Sequence, residues 1–223
     1  MSDGDYPRFS DAEMRRRHEA VERVMAEHEV DHLLVYGANK FGLGVGWLTR
    51  WPVTREAYVL VTPGEPDVLW VDFYNHVPLA TRIATEADVR ACEGKGIAHP
   101  LAELRRRGAR RLGVMGALPW RAAQALADTG LSLVSLDAQF TQLRLVKSDE
   151  EIVWLRTGCQ LTDRAVAALG VAAAPGASEY ELGAIVEGSY RAAAARRTST
   201  TSRSTPWIAR AFPRPRSGPP RAP

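Results

Sequence analysis

Chemistry near neutral pH needs titratable or nucleophilic side chains held close together. Few in this 223-residue sequence are spaced for it. Asp67 and Asp72, or Glu86 with Asp88, are near enough along the chain to act as carboxylate pairs in acid–base work. No histidine or metal-ligand spacing supports either pair, so all four read as solvated or turn residues. Gly42, Gly44 and Gly46 in FGLGVGW suggest a phosphate-cradling loop, which needs a strand before it and a helix after it. HLLVYG supplies the strand, but GWLTRW reads as another strand, so no nucleotide site is expected. His76 in FYNHVP reads as a structural histidine with a satisfied partner, the alternative being a hydrogen bond across a subunit interface. Trp47, Trp51, Trp70, Trp120 and Trp154 read as core and interface aromatics rather than a base-stacking platform. Cys92 and Cys159 have no CxxC spacing. They read as small buried residues of a reduced, cytoplasmic protein.

The elements that must position these residues are legible in outline. Ser10 followed by Glu13 predicts a capping box, with Phe9 stapled onto Met14. Met14, Ala20, Val21, Val24 and Met25 then mark one face of a helix. The charges of MRRRHEAVER read as its solvated face, not a nucleic-acid contact. Tyr58 to Thr62 and Val68 to Phe73 read as strands joined by the PGEP turn. A helix is predicted near Val77 to Ile83 and a strand at DVRAC. LAELRRRG reads as a helix closed by Gly108, RLGVMG as a strand, and PWRAAQALADTG as a helix between Pro119 and Gly130. LSLVSLD reads as the last strand. Strands alternating with helices predict an α/β domain with a mixed sheet flanked by helices, over residues 1–143.

LRLVKSDEEIVWLR (Leu143 to Arg156) then changes character. Leu143 to Lys147 is strand-like, and Ser148 with Glu151 is a second capping box, with Asp149, Glu150 and Glu151 at the positive end of the helix. Ile152, Leu155, Cys159, Val166 and Leu169 form a predicted apolar stripe. After AAAPGAS, Ser178 and Glu181 start another helix, with Leu182, Ile185 and Val186 on its buried face. Two such helices over 144–196, with no strands to pack on, are expected to leave an apolar face exposed.

The net charge of +3 belongs to the end of the chain. Residues 197–223 hold six arginines, six prolines and no acid, whereas residues 1–196 carry 23 basic against 26 acidic residues. The basic balance is therefore poor support for a nucleic-acid surface. No apolar run reaches the roughly 18 residues that span a membrane, and the polar, acidic start MSDGDYPRFS is not a secretory signal. The stretch 197–223 has no helical or strand period and is expected to be disordered. Its Arg, Pro, Ser, Thr and Ala bias also suggests a frameshifted read of a GC-rich gene, which the nucleotide sequence would test.

The junction resembles that of the creatinase/prolidase/Xaa-Pro aminopeptidase group, the pita-bread metallopeptidases. The residues that carry the resemblance are Arg144, Lys147, Glu151 and Ile152, then LTDRAVAAL, then Pro175, Gly176 and Glu179. GWLTRWPVTREAYVLVTPGEPDVLWVDFYNHVP also looks like the N-terminal domain of that family. The resemblance implies a creatinase N-terminal-like domain followed by the truncated helical start of a catalytic domain. It implies hydrolysis before proline in short peptides by two divalent metals (Mn, Co, Zn or Fe) on two Asp, one His and two Glu. His18, His28, His32, His76 and His99 all precede the junction, and no acid follows Glu187. No metal ligand and no catalytic residue is therefore expected here, and the chain alone is expected to be inactive. By the same resemblance Arg55, in VTREAYVLV, is the candidate substrate-binding residue: in creatinase-like dimers an arginine of one N-domain reaches the partner's active site. A homodimer through the N-terminal domain is expected, and neither nucleic acid nor membrane as partner. The alternative is a non-catalytic oligomerisation or binding module derived from that domain.

Overall fold

The computed structural model describes residues 8–38 and 43–195, which fall into two compact units, 8–157 and 158–195. Gly42 and the 197–223 stretch lie outside the described residues.

The first unit is built on a six-stranded mixed sheet in the order β4-β3-β2-β1-β5-β6. Its strands are β1 (His32–Ala38), β2 (Glu56–Val61), β3 (Asp67–Val71), β4 (Ala87–Ala91), β5 (Arg111–Met115) and β6 (Ser132–Ser135). β2 runs antiparallel to both β1 and β3, and the remaining pairs are parallel. The three central strands are apolar at nearly every position because both faces are covered. Successive side chains alternate between faces. Leu33 and Val35 of β1, Val59 and Val61 of β2, and Leu69 and Val71 of β3 join one core. Leu34 and Tyr36, Tyr58 and Leu60, and Val68 and Trp70 join the other.

Helices close each face. α1 (Asp11–Glu27), α2 (Leu43–Thr49), α3 (Val77–Ile83) and α6 (Asp137–Leu143) supply Val21, Met25, Val45, Trp47, Leu48, Ala80 and Phe140 to the first core. α4 (Ala98–Arg106) and α5 (Trp120–Ala127) supply Leu101, Leu104 and Leu126 to the second. Gly108 and Gly130 follow α4 and α5 with positive φ, the backbone that ends a helix.

Four local expectations fail. GWLT is part of helix α2, not a strand. The glycines explain it: a Cβ on Gly44 would stand 2.8 Å from Val35 Cγ1, so glycine there lets this helix lie close to the sheet, and one on Gly46 would stand 3.2 Å from the Trp51 carbonyl in the segment that follows the helix. Helix α6 has no counterpart in the sequence reading, and Leu143 to Lys147 is not a strand: Leu143 ends α6 and the chain turns from Arg144 on. Lys147 Nζ donates there to the Arg144 and Leu145 carbonyls, at 2.7 and 3.1 Å. Cys92 is buried as expected, but Cys159 is exposed.

α7 (Asp149–Ala172) starts in the first unit and runs into the second, where α8 (Glu179–Ala195) follows. Both capping boxes form in full. Ser148 N donates to Glu151 Oε2 at 2.9 Å and Glu151 N to Ser148 Oγ at 3.1 Å. Ser178 N donates to Glu181 Oε2 at 2.9 Å and Glu181 N to Ser178 Oγ at 3.3 Å. Among the described residues of the second unit Ala165 is the one buried hydrophobic residue, and Val166 and Val171 are 61% and 90% exposed. Among the described residues no helix is long and apolar enough to cross a membrane.

Candidate functional site

Arg55 stands in the bend that leads into β2. Its Nε lies 3.2 Å from Asp72 Oδ2, just past the paired end of β3, and its guanidinium carbon is 5.2 Å from the centre of the Phe73 ring. The side chain is 63% exposed, and the pair with Asp72 is its one ion pair among the described residues. One edge of the guanidinium is thus oriented by a carboxylate and an aromatic face. The rest of the fork is open to a bidentate acceptor. Asp72 is therefore a partner of Arg55, not a free turn residue, and it makes no pair with Asp67. Nearby, His76 Nδ1 is 3.1 Å from Thr54 Oγ1 and its ring lies against Trp51 and Phe73, so its partners are within the chain.

Several other titratable groups are occupied by the fold. Asp67 is buried, contrary to its reading as a solvated residue, because His18 Nε2 meets its Oδ2 at 2.7 Å. Burial alone would lower the His18 pKa. The hydrogen bond and charge of Asp67 outweigh burial and raise it to about 9. His32 Nδ1 is 2.8 Å from Thr62 Oγ1. Burial pushes the Cys92 thiol up to about 12, far from a reactive thiolate. Burial, with Glu56, does the same to Tyr36. Among the described residues no group of three or more His, Cys, Asp or Glu is placed to hold a metal ion. The described residues thus offer no ligand set for a dinuclear metal site. The glycine loop does have a strand before it and a helix after it, but Gly44 and Gly46 sit inside that helix as packing residues.

At the junction, sequence reading mistook a buried cluster for a solvated face. Arg17, within the run MRRRHEAVER, is 1% exposed. Its Nε donates to Glu13 Oε1 (2.7 Å), its Nη1 to the Trp47 carbonyl (2.9 Å) and its Nη2 to Glu151 Oε1 (2.9 Å). Trp47 Nε1 donates to the same Glu151 oxygen at 3.2 Å. Glu13 is committed to Arg16 and Arg17, which more than offset its burial and hold its carboxyl at about 2. The first capping box is therefore only half made. Glu13 N donates to Ser10 Oγ, but Ser10 N and Oγ both donate to Glu150, at 2.7 Å each. Phe9 lies against Arg17 and Trp154. Glu151 is thus a helix cap, a counter-ion and a tryptophan acceptor at once, and it fastens the start of α7 to α1 and α2. Its capping role was legible from Ser148. The other two arise from residues more than a hundred positions away.

No family model and no curated protein matches this sequence. Solved structures share its fold. An Xaa-Pro dipeptidase from Bacillus anthracis superposes with a TM-score of 0.64 at 20% identity, over 81% of this chain and 49% of that one. A prolidase from Pyrococcus horikoshii gives 0.64 at 20%, over 80% and 49%. An X-Pro aminopeptidase from Thermotoga maritima gives 0.67 at 17%, over 79% and 49%. The chain spans about half the length of these structures, and the likeness is one of fold. The mixed six-stranded sheet flanked by helices agrees with the resemblance carried by the junction residues.

Proposed function

We propose that this chain is the N-terminal half of an Xaa-Pro dipeptidase- or aminopeptidase-type metallopeptidase and is inert as a peptidase by itself. The observation that carries this reading is the shared fold over about half the length of three such proteins. The dinuclear metal site, with its divalent Mn, Co, Zn or Fe, belongs to residues that the described part of this chain does not supply. The contribution proposed for the part in hand is positional. Glu151 fixes where α7 leaves the sheet unit, and Arg55 offers a half-oriented guanidinium to the carboxylate of a short proline-containing peptide held by a partner subunit. Phe73, whose ring lies against Arg55, and Tyr74 and Leu79 beyond it are 40%, 79% and 40% exposed, apolar side chains that a homodimer would cover. Two free cysteines agree with a reducing, cytoplasmic setting.

The test is hydrolysis of Xaa-Pro dipeptides and longer Xaa-Pro peptides by the purified chain with added manganese or cobalt. No turnover is expected, and metal-dependent turnover would overturn the proposal. Reading the gene past the codon for Arg197 in all three frames should reveal the two Asp, one His and two Glu. Their absence there would remove the metallopeptidase reading.

A further inference from the structure

We propose that the first unit carries a binding site for a small apolar or aromatic carboxylate, in the cavity between the start of α1, helix α2 and the turn that follows α6. The cavity holds about 250 Å³, just below the range of drug-sized ligand pockets and enough for a smaller molecule. All its lining residues belong to the first unit. Its walls are mostly apolar, with Phe9, Trp47, Trp51, Pro52 and Val53 on them. Trp47 and Trp51 are 8% and 1% exposed, so their rings are fixed by the core and form a rigid surface for a flat or branched body.

The charges on this wall define the ligand's polarity. Among the described residues, Arg17, Arg144 and Glu151 are the charged ones that line the cavity. Arg17 has every side of its guanidinium engaged, by Glu13, Glu151 and the Trp47 carbonyl. Glu151 is equally committed, with Oε1 to Arg17 and Trp47 and Oε2 to Ser148 N. Arg144 is different. Its guanidinium carbon lies 5.1 Å from the centre of the Phe140 ring, and among the described residues the guanidinium has no hydrogen bond or ion pair. Its backbone carbonyl is held by Lys147 Nζ, which fixes the turn that carries it. Among the described residues the cavity therefore presents one uncompensated, half-buried cation beside an aromatic wall. A planar carboxylate matches the arginine fork in charge and geometry. A phosphate dianion matches it less well, because one arginine would leave the second charge desolvated and unpaired.

This inference needs no peptidase chemistry, so its failure and that of the proposed function are separate results. The experiment is calorimetric titration of the whole chain with 3-phenylpropanoate and, in parallel, with its neutral amide. Saturable binding of the acid is expected, with the amide weaker by about tenfold, the loss of one charge-assisted contact. Arg144→Met, with its melting temperature checked against the parent, is expected to lose about tenfold for the acid and nothing for the amide. No saturable binding, equal binding of acid and amide, or unchanged binding by Arg144→Met overturns the site. Should that variant melt early, Leu43→Trp decides. Leu43 is 60% exposed on the cavity wall, so a larger side chain there fills the cavity without entering the core. Loss of acid binding supports the site, and retention removes it.

Discussion

Arg17 Nη2 lies 2.9 Å from Glu151 Oε1 across 134 residues of sequence. The guanidinium is packed between Phe9, 3.9 Å from its ring centre, and Trp47, 5.0 Å from its ring centre. A charge removed from water to this degree is tolerated only when acceptors replace the water on all sides. Glu13, Glu151 and the Trp47 carbonyl do so. The contact therefore makes the placement of α7's first turn part of the stability of the sheet unit.

Removing that acceptor should be expensive. Glu151→Ala leaves a buried guanidinium edge and the Trp47 indole N–H without their acceptor and removes half of a capping box. A loss of about 2–4 kcal/mol is expected from urea unfolding. Glu150→Ala removes an exposed carboxylate from Ser10 and is expected to lose about 1 kcal/mol or less. Equal losses for the two would mean that the buried network is not what fastens the junction.

The His18–Asp67 pair predicts a pH dependence with a definite sign. The folded pKa of about 9 stands above the ordinary 6.5. Its stabilisation is therefore fully present below pH 6.5 and is lost as pH rises through about 9. Stability by chemical denaturation should fall across that window by an amount on the order of 2–3 kcal/mol. His18→Gln should flatten the slope there. A variant with the parent's slope would show that another group titrates.

The sequence held more of the fold than of the site, for a physical reason. Period and caps are local, so α1, α4, α5, α7 and α8, and the β2–β3 hairpin with its PGEP turn, were legible. Helix α2 was not, because its glycines and its aromatic and β-branched residues resemble a strand, and what makes it a helix is its close packing on Val35 and Met115. Helix α6 has seven residues with Phe140 alone buried, too short for a period to show. Arg17 looked solvated because it sits in a run of three arginines and its partner Glu151 is distant in sequence. Asp67 looked solvated because its partner is His18, on another element. Arg55 could be singled out only by resemblance, since its pair with Asp72 depends on how β2 and β3 align.

Three glycines separate backbone strain from steric conflict. Gly116 has φ +100 and a Cβ there would run into the Tyr36 carbonyl, so Gly116→Ala should lose about 3 kcal/mol or more. Gly108, with φ +66 and nothing within 4 Å, bears only the conformational cost, and Gly108→Ala should lose about 1 kcal/mol. Gly44 lies in a helix, where alanine gains about 1 kcal/mol, but its Cβ would meet Val35 and Met115. A net loss of about 1–2 kcal/mol is expected there, since overpacking outweighs propensity. Thermal melts check the order Gly116, Gly44, Gly108. Gly108→Ala as the worst of the three would contradict it.

The two units should also differ sharply in hydrogen exchange. In β1, β2 and β3, Leu33, Leu34, Val59, Leu60 and Leu69 are fully buried, so their amides open only with the whole sheet. In α8 none of the residues whose side chains are described is buried, and in α7 beyond Thr157 only Ala165 is. Helices of this length with little burial are marginal in water, and a capping box adds only about 1 kcal/mol. Amides of α8 are therefore expected to exchange several orders of magnitude faster than those of the central strands. Protection that rises with protein concentration would mean that a second copy covers the exposed Leu155, Val166, Val171 or Tyr180. Protection equal to that of the strands at every concentration would contradict the prediction, because α8 would then unfold only with the sheet.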